Sequence, residues 1–161
     1  VAPAPKPVST AQAGEVVLMS ASASLVSGKL AIVPVVDGVR LSGEVGGLGP
    51  GRPHAIHIHE KGDCSAVDAS SAGGHFNPDD SVHGRVGHGA HHGGDMDNLQ
   101  ADGRGVARVD AFARGVTLGG GAYNDVAGRA VIVHAAADDY TSQPAGNAGA
   151  RVACGIIKVT R

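Results

Sequence analysis

From Gly14 onward the chain runs in short stretches where apolar and polar positions alternate. They fall at 15–22 (EVVLMSAS), 29–36 (KLAIVPVV), 38–45 (GVRLSGEV), 54–60 (HAIHIHE), 104–112 (RGVARVDAF), 128–135 (GRAVIVHA) and 151–160 (RVACGIIKVT), with a weaker candidate, GVTL, at 115–118. A period of two places successive side chains on opposite faces and is the mark of a half-buried β-strand. The first four runs end at Gly, Pro, Asp or Ser, residues that turn a chain. Pro34 has no N–H to give a ladder, so its run is expected at an edge or at a bulge. No stretch carries a helical period. Seven or eight short strands of this kind predict an all-β protein, an antiparallel sandwich or barrel. Two segments lack any pattern, 62–100 and 136–150, and structureless stretches of that length in a compact domain are usually functional or disordered. Residues 1–13 (VAPAPKPVSTAQA) are rich in Pro and Ala and read as a flexible N-terminal lead-in to a domain over 14–161. No basic segment followed by an apolar stretch precedes them, so any secretory signal is expected to have been removed.

Composition narrows this picture. A chain of 161 residues is one domain's worth and encloses a real core. With two Phe, two Tyr and no Trp, that core must be filled by Val, Ala, Leu and Ile, and 26 glycines favour strands and turns over helices. A formal net charge of -2 leaves no footprint for nucleic acid or an anionic membrane, and no apolar run is long enough to cross a bilayer. The expected partner is therefore a small molecule or another protein. The two cysteines, Cys64 and Cys154, have no zinc-ribbon spacing; they are either free thiols or one long-range disulfide. Such a bridge would stabilise the fold by ~4 to 5 kcal/mol and would imply a compartment outside the cytoplasm.

The candidate chemistry lies with histidine. In the strand around 54–60, His57 and His59 share one face while Ile58 takes the other, which is how a sheet presents two imidazoles to one metal. His54, three residues earlier, turns the other way and is expected to make a structural hydrogen bond. The first long loop holds His75, His83, His88, His91, His92 and Asp95, and His134 closes the run AVIVH. Neutral imidazoles suit copper and zinc, and an aspartate among them favours zinc.

Five separated segments, HAIHIHEKGDC, GGHFNPDDSVHG, HGGD, GRAVIVHAAADD and GNAGARVACGI, resemble in order and spacing the signatures of the copper,zinc superoxide dismutase family, across roughly 38–160. The resemblance implies an eight-stranded Greek-key β-barrel or sandwich, immunoglobulin-like, with two long functional loops. It implies copper on His57, His59, His75 and His134, and zinc on His75, His83, His92 and Asp95, with His75 bridging the two metals. His92 is preferred to His91 because only His92 keeps the His-x-x-Asp register with Asp95; His88 has no counterpart. Asp138 resembles the carboxylate that links a copper-bound to a zinc-bound histidine, here His57 and His83. Arg151 resembles the arginine that guides and holds the anion, and Cys64 with Cys154 the family's disulfide.

The implied reaction converts superoxide to molecular oxygen and hydrogen peroxide by alternate reduction and oxidation of copper, with His75 gaining and returning a proton. Superoxide is then the substrate, with no nucleic acid or membrane partner; a homodimer is compatible, since dimer surfaces differ between branches of the family. The loop over 138–150 is short and holds no lysine or glutamate, so steering would rest on Arg151, with Lys61 and Arg85 as secondary candidates. That short loop, and a cysteine directly after HEKGD, resemble the bacterial branch and imply a periplasmic or secreted enzyme. The alternative is a copper- and zinc-binding or metal-delivery protein on the same fold without turnover. The complete copper set together with Arg151 argues for the enzyme.

Overall fold

The computed structural model describes residues 6–161. Residues 1–5, part of the expected lead-in, lie outside the described residues. The remainder of that segment is tied down at its end. Thr10 N and Ala11 N donate to Leu118 O, while Gln12 N and Ala13 N donate to Arg161 O. Residues 10–13 therefore lie against the barrel, because their backbone donors find carbonyl partners there.

The described chain forms nine strands: β1 Gly14–Ser20, β2 Ser27–Val35, β3 Gly38–Gly46, β4 Pro53–His54, β5 Ile56–His59, β6 Leu99–Gln100, β7 Ala107–Arg114, β8 Ala130–His134 and β9 Arg151–Val159. Seven form one curled antiparallel sheet in the order β5-β8-β9-β1-β2-β3-β7, and β4 pairs with β6. A bridge between Ala101 and Ala107 links β6 to β7, and β4 runs into β5 across Ala55. Taking β4 and β5 as two halves of one bent strand, the wall has eight strands. The connections β3 to β4 and β7 to β8 each skip neighbours, which is Greek-key topology. The family-like all-β architecture is thus present.

Alternation governs what lies inside. Val16 and Leu18 of β1, Leu30 and Ile32 of β2, Leu41 of β3 and Ile56 and Ile58 of β5 are all buried in one core. Aliphatic side chains fill it because the chain offers few rings. Pro34 is accommodated without a bulge: β2 pairs with β3 through Pro34↔Val39, but its pairing with β1 ends at Ile32, so near Pro34 the strand is locally an edge. The run at 115–118 forms no strand, only a bridge between Thr117 and Asp125.

Strands β5 and β8 differ from the rest in being buried on both faces. Ile56, Ile58, Val131 and Val133 belong to the core; Ala130 and Ile132 belong to a second cluster with Ala69, Ala72 and Cys154 on the outer side. The disulfide Cys64–Cys154, with Cα atoms 5.7 Å apart, pins the first long loop over that outer face. Among the described residues no helix is long and apolar enough to cross a membrane.

Candidate metal centre

The outer face of β5 and β8 is where the histidines gather. Because Ile56 and Ile58 point inward, His57 and His59 point outward, as alternation requires. His134 joins them from β8, where a register shift between Val133 and His134 re-aims the end of the strand. The loop after β5 then zips onto the free edge of that strand. Phe76 N donates to Ile58 O, Ile58 N donates to Gly94 O and Gly94 N donates to Phe76 O, at 2.8 to 2.9 Å. Bridges pair His59 with His75 and His57 with Asp95. Gly94 is required for this approach, since a Cβ there would run into Ile58 O.

Two four-residue groups of potential ligand atoms result, each within 4.8 Å of one another and wholly buried: His57, His59, His75 and His134, and His75, His83, His92 and Asp95. His75 is common to both. In the second group His75 Nδ1 lies 3.1 Å from His92 Nδ1 and 3.0 Å from Asp95 Oδ1, and His83 Nδ1 lies 3.0 Å from the same oxygen. His92 Nδ1 is 3.4 Å from it. Four donors at about 2.0 to 2.1 Å from one tetrahedral cation would lie roughly 3.3 Å apart, so the spacing already suits zinc. Asp95 Oδ2 meanwhile accepts from His92 N at 2.8 Å and Gly84 N at 3.2 Å, which fixes the carboxylate. His91 is turned away, its Nδ1 donating to His92 O at 2.7 Å, and His88 is exposed.

Hydrogen bonds from the far ring nitrogen set which nitrogen each histidine presents. His59 Nδ1 donates to Gly73 O at 2.9 Å and leaves Nε2 inward; His134 Nδ1 faces Gly149 O at 3.4 Å and leaves Nε2. His57 Nε2 bonds Asp138 Oδ2 and His83 Nε2 bonds Asp138 Oδ1, both at 2.8 Å, so each presents Nδ1. His57 Nδ1 is then 3.0 Å from His134 Nε2. Among the described residues, the only buried side-chain nitrogens without a partner are His59 Nε2 and His75 Nε2. Leaving two such atoms dry and unpaired is costly unless something else binds them, and a copper ion fits that need. His54 behaves as expected: Nδ1 donates to His134 O at 3.0 Å and Nε2 accepts from Gly49 N at 3.2 Å.

Charge divides the two groups. Burial drives the pKa of His75 down to about 4 and that of His134 to about 3, and holds His59 well below its ordinary value with help from His75. These rings stay neutral and keep their lone pairs. Burial also opposes charge on His83, but its hydrogen bonds to Asp138 and Asp95 outweigh this and raise its pKa. Asp138 and Asp95 are held well below the usual carboxylate range: burial favours their neutral forms, but their histidine partners prevail.

Arg151 sits half-buried at the rim. Its guanidinium donates to Ala69 O at 3.0 Å, and its charge helps depress His59 and His134. Lys61 is exposed, and Arg85 is engaged with Asp97 at 3.0 Å and stacked 4.6 Å above the Tyr140 ring. Three residues without a sequence pattern also shape the site. Asn98 exchanges hydrogen bonds with the backbone of Asp138, at 2.9 and 3.0 Å. Gln143 does the same with His83, at 2.7 and 2.8 Å. Gly146 packs against Asp138 and His83.

Comparison with known proteins adds to this geometry. A family model described as "Copper/zinc superoxide dismutase (SODC)" matches residues 26–157. "Superoxide dismutase [Cu-Zn] 1" of Aquifex aeolicus is 42% identical over 134 residues, covering 81% of this chain and 79% of its own. "Superoxide dismutase [Cu-Zn]" of Caulobacter vibrioides is 42% identical over 137 residues, covering 82% and 78%. The crystal structure of a SOD-like protein from Bacillus subtilis superposes with a TM-score of 0.78 at 34% identity, covering 88% of this chain and 96% of that one.

Proposed function

The chain belongs to the copper/zinc superoxide dismutase family, whose enzymes act on superoxide with copper and zinc as cofactors, and within that premise we propose a division of labour among its residues. His57, His59, His75 and His134 hold copper; His75, His83, His92 and Asp95 hold zinc; His75 bridges the two. The observation that carries this reading is the pair of buried, unpartnered atoms His59 Nε2 and His75 Nε2, beside a ring shared by both groups. Bound copper supplies the redox couple by which one superoxide gives up an electron and another receives it, while zinc supplies fixed charge and geometry.

The protein does the rest. Arg151, held by Ala69 O, binds the anion through its remaining N–H groups and offsets the slightly acidic chain. His75 Nε2 carries the proton. Buried and without a protein partner, that nitrogen is free to take a proton in place of the metal and to return it to the reduced dioxygen that becomes peroxide. The overall balance is two superoxides and two protons to one dioxygen and one hydrogen peroxide. Asp138 orients His57 and His83 together, so the two halves of the centre are set by one carboxylate. The Cys64–Cys154 disulfide supports a periplasmic or secreted location.

The test is to load the protein with one equivalent each of copper and zinc and follow superoxide decay by pulse radiolysis. Catalytic decay with both metals is expected. Stoichiometric binding of both metals without catalysis would favour a metal-delivery role and end the enzymatic reading.

A further inference from the structure

We propose that Gln143 is a positioning residue for the zinc half of the centre, acting as a surrogate strand that fixes the backbone of His83. The inference rests on the assignment of His83 to zinc and deepens it. Within the zinc-side set, His75 and Asp95 are bridged to β5, and the carbonyl of His92 accepts from Asp95 N at 3.1 Å. His83 has no backbone partner of this kind among the described residues. Its N–H donates to Gln143 Oε1 at 2.7 Å and its carbonyl accepts from Gln143 Nε2 at 2.8 Å. One side-chain amide thus provides both bonds of a ladder rung.

The amide is itself held. Gln143 Nε2 also donates to Thr141 O at 3.2 Å, and a nitrogen flanked by two carbonyls leaves the oxygen for His83 N. From the same loop Gly146, at a φ of 77°, covers the hydrogen bond between His83 and Asp138; a Cβ there would lie 2.7 Å from His83 Nε2 and overlap Asp138 Oδ1. The ring of His83 spends both nitrogens on carboxylates, so its place in the centre depends on where its backbone is anchored. That anchor comes from the second long loop. These amide contacts cost the core nothing, because Gln143 is an exposed residue.

The experiment uses the full chain with copper in place and compares Gln143→Ala, Gln143→Leu and, as a control in the same loop, Thr141→Ala. Zinc affinity is read by chelator competition, cobalt(II) in the zinc position by its visible absorption, and the His83 amide by hydrogen exchange. Both Gln143 variants are expected to weaken zinc by roughly tenfold, shift the cobalt bands and expose the His83 amide, with copper affinity unchanged. The proposal is overturned if zinc affinity and the cobalt spectrum match those of the unmodified protein. It is equally overturned if Gln143→Leu retains full affinity, if Thr141→Ala loses as much, or if copper is lost along with zinc. Failure of the unmodified chain to take up one equivalent of zinc is separately recognisable, and removes the underlying metal assignment together with the proposal.

Discussion

The two halves of the proposed metal centre share a histidine but are built by different means. His57, His59 and His134 stand on adjacent paired strands, and their rings are turned by the backbone carbonyl of Gly73, the carbonyl of Gly149 and Asp138. His83, His92 and Asp95 stand on a loop whose order comes from a disulfide, a short zip against β5 and two side-chain amides. The strand half contains no carboxylate ligand, and burial keeps His59 and His134 neutral; the loop half is assembled around Asp95, whose oxygen lies within 3.4 Å of three rings. A sheet places donors before any metal arrives, whereas a loop places them by satisfying one another. The strand half should therefore tolerate loss of metal, and the loop half should not.

The hardest blow to this contrast is to cut the tie between the two regions. Replacing Cys64 and Cys154 by Ser, which frees a link between residues 90 apart, should cost ~4 kcal/mol, read by urea unfolding, with amide protection lost first in the loop after β5. Next comes Asp95→Ala, which should weaken zinc about 100-fold or more while copper stays bound, measured by metal competition. If copper affinity fell equally, the two halves would be one cooperative unit. Gly94→Ala, whose Cβ would meet Ile58 O, should lift the loop from β5 and cost roughly 2 kcal/mol in the same unfolding assay. The smallest effect sharpens the strand half: Arg151→Ala should slow superoxide decay roughly tenfold with both metals retained, since the guanidinium, hydrogen-bonded to Ala69 O, is assigned to the anion and to neither metal. Loss of copper in that variant would assign Arg151 to the framework.

The strand half was also the part easiest to read from sequence. Alternation in IHIH at 56–59 and the Val-rich run at 130–133 locate β5 and β8, and the strand period alone turns His57 and His59 to one side. The family's spaced signatures then predict the membership of both groups and the cysteine pair. What escaped has physical reasons. Strand β6 is two residues long, too short to show a period, and GVTL has strand composition but lies in the connection from β7 to β8, where it makes only the bridge from Thr117 to Asp125. Gln143 and Asn98 act through amides on the backbones of residues 60 and 40 positions away, a contact with no local pattern. Gly94 and Gly146 are two among 26 glycines until the backbone beside them is known.

The zip along β5 has a consequence for how the protein meets other copies of itself. β5 terminates the seven-stranded sheet, and its outer edge is capped by the loop through Ile58, Phe76 and Gly94. An uncapped strand edge is a template for intermolecular pairing, and β5 has no proline or lysine to discourage it. The molecule before oxidation and metal uptake, with its loop untethered, would present that edge to solvent. Closing the sheet edge that carries His57 and His59 would then be a second task for the disulfide and for bound metal besides catalysis, withholding that edge from other copies of the chain.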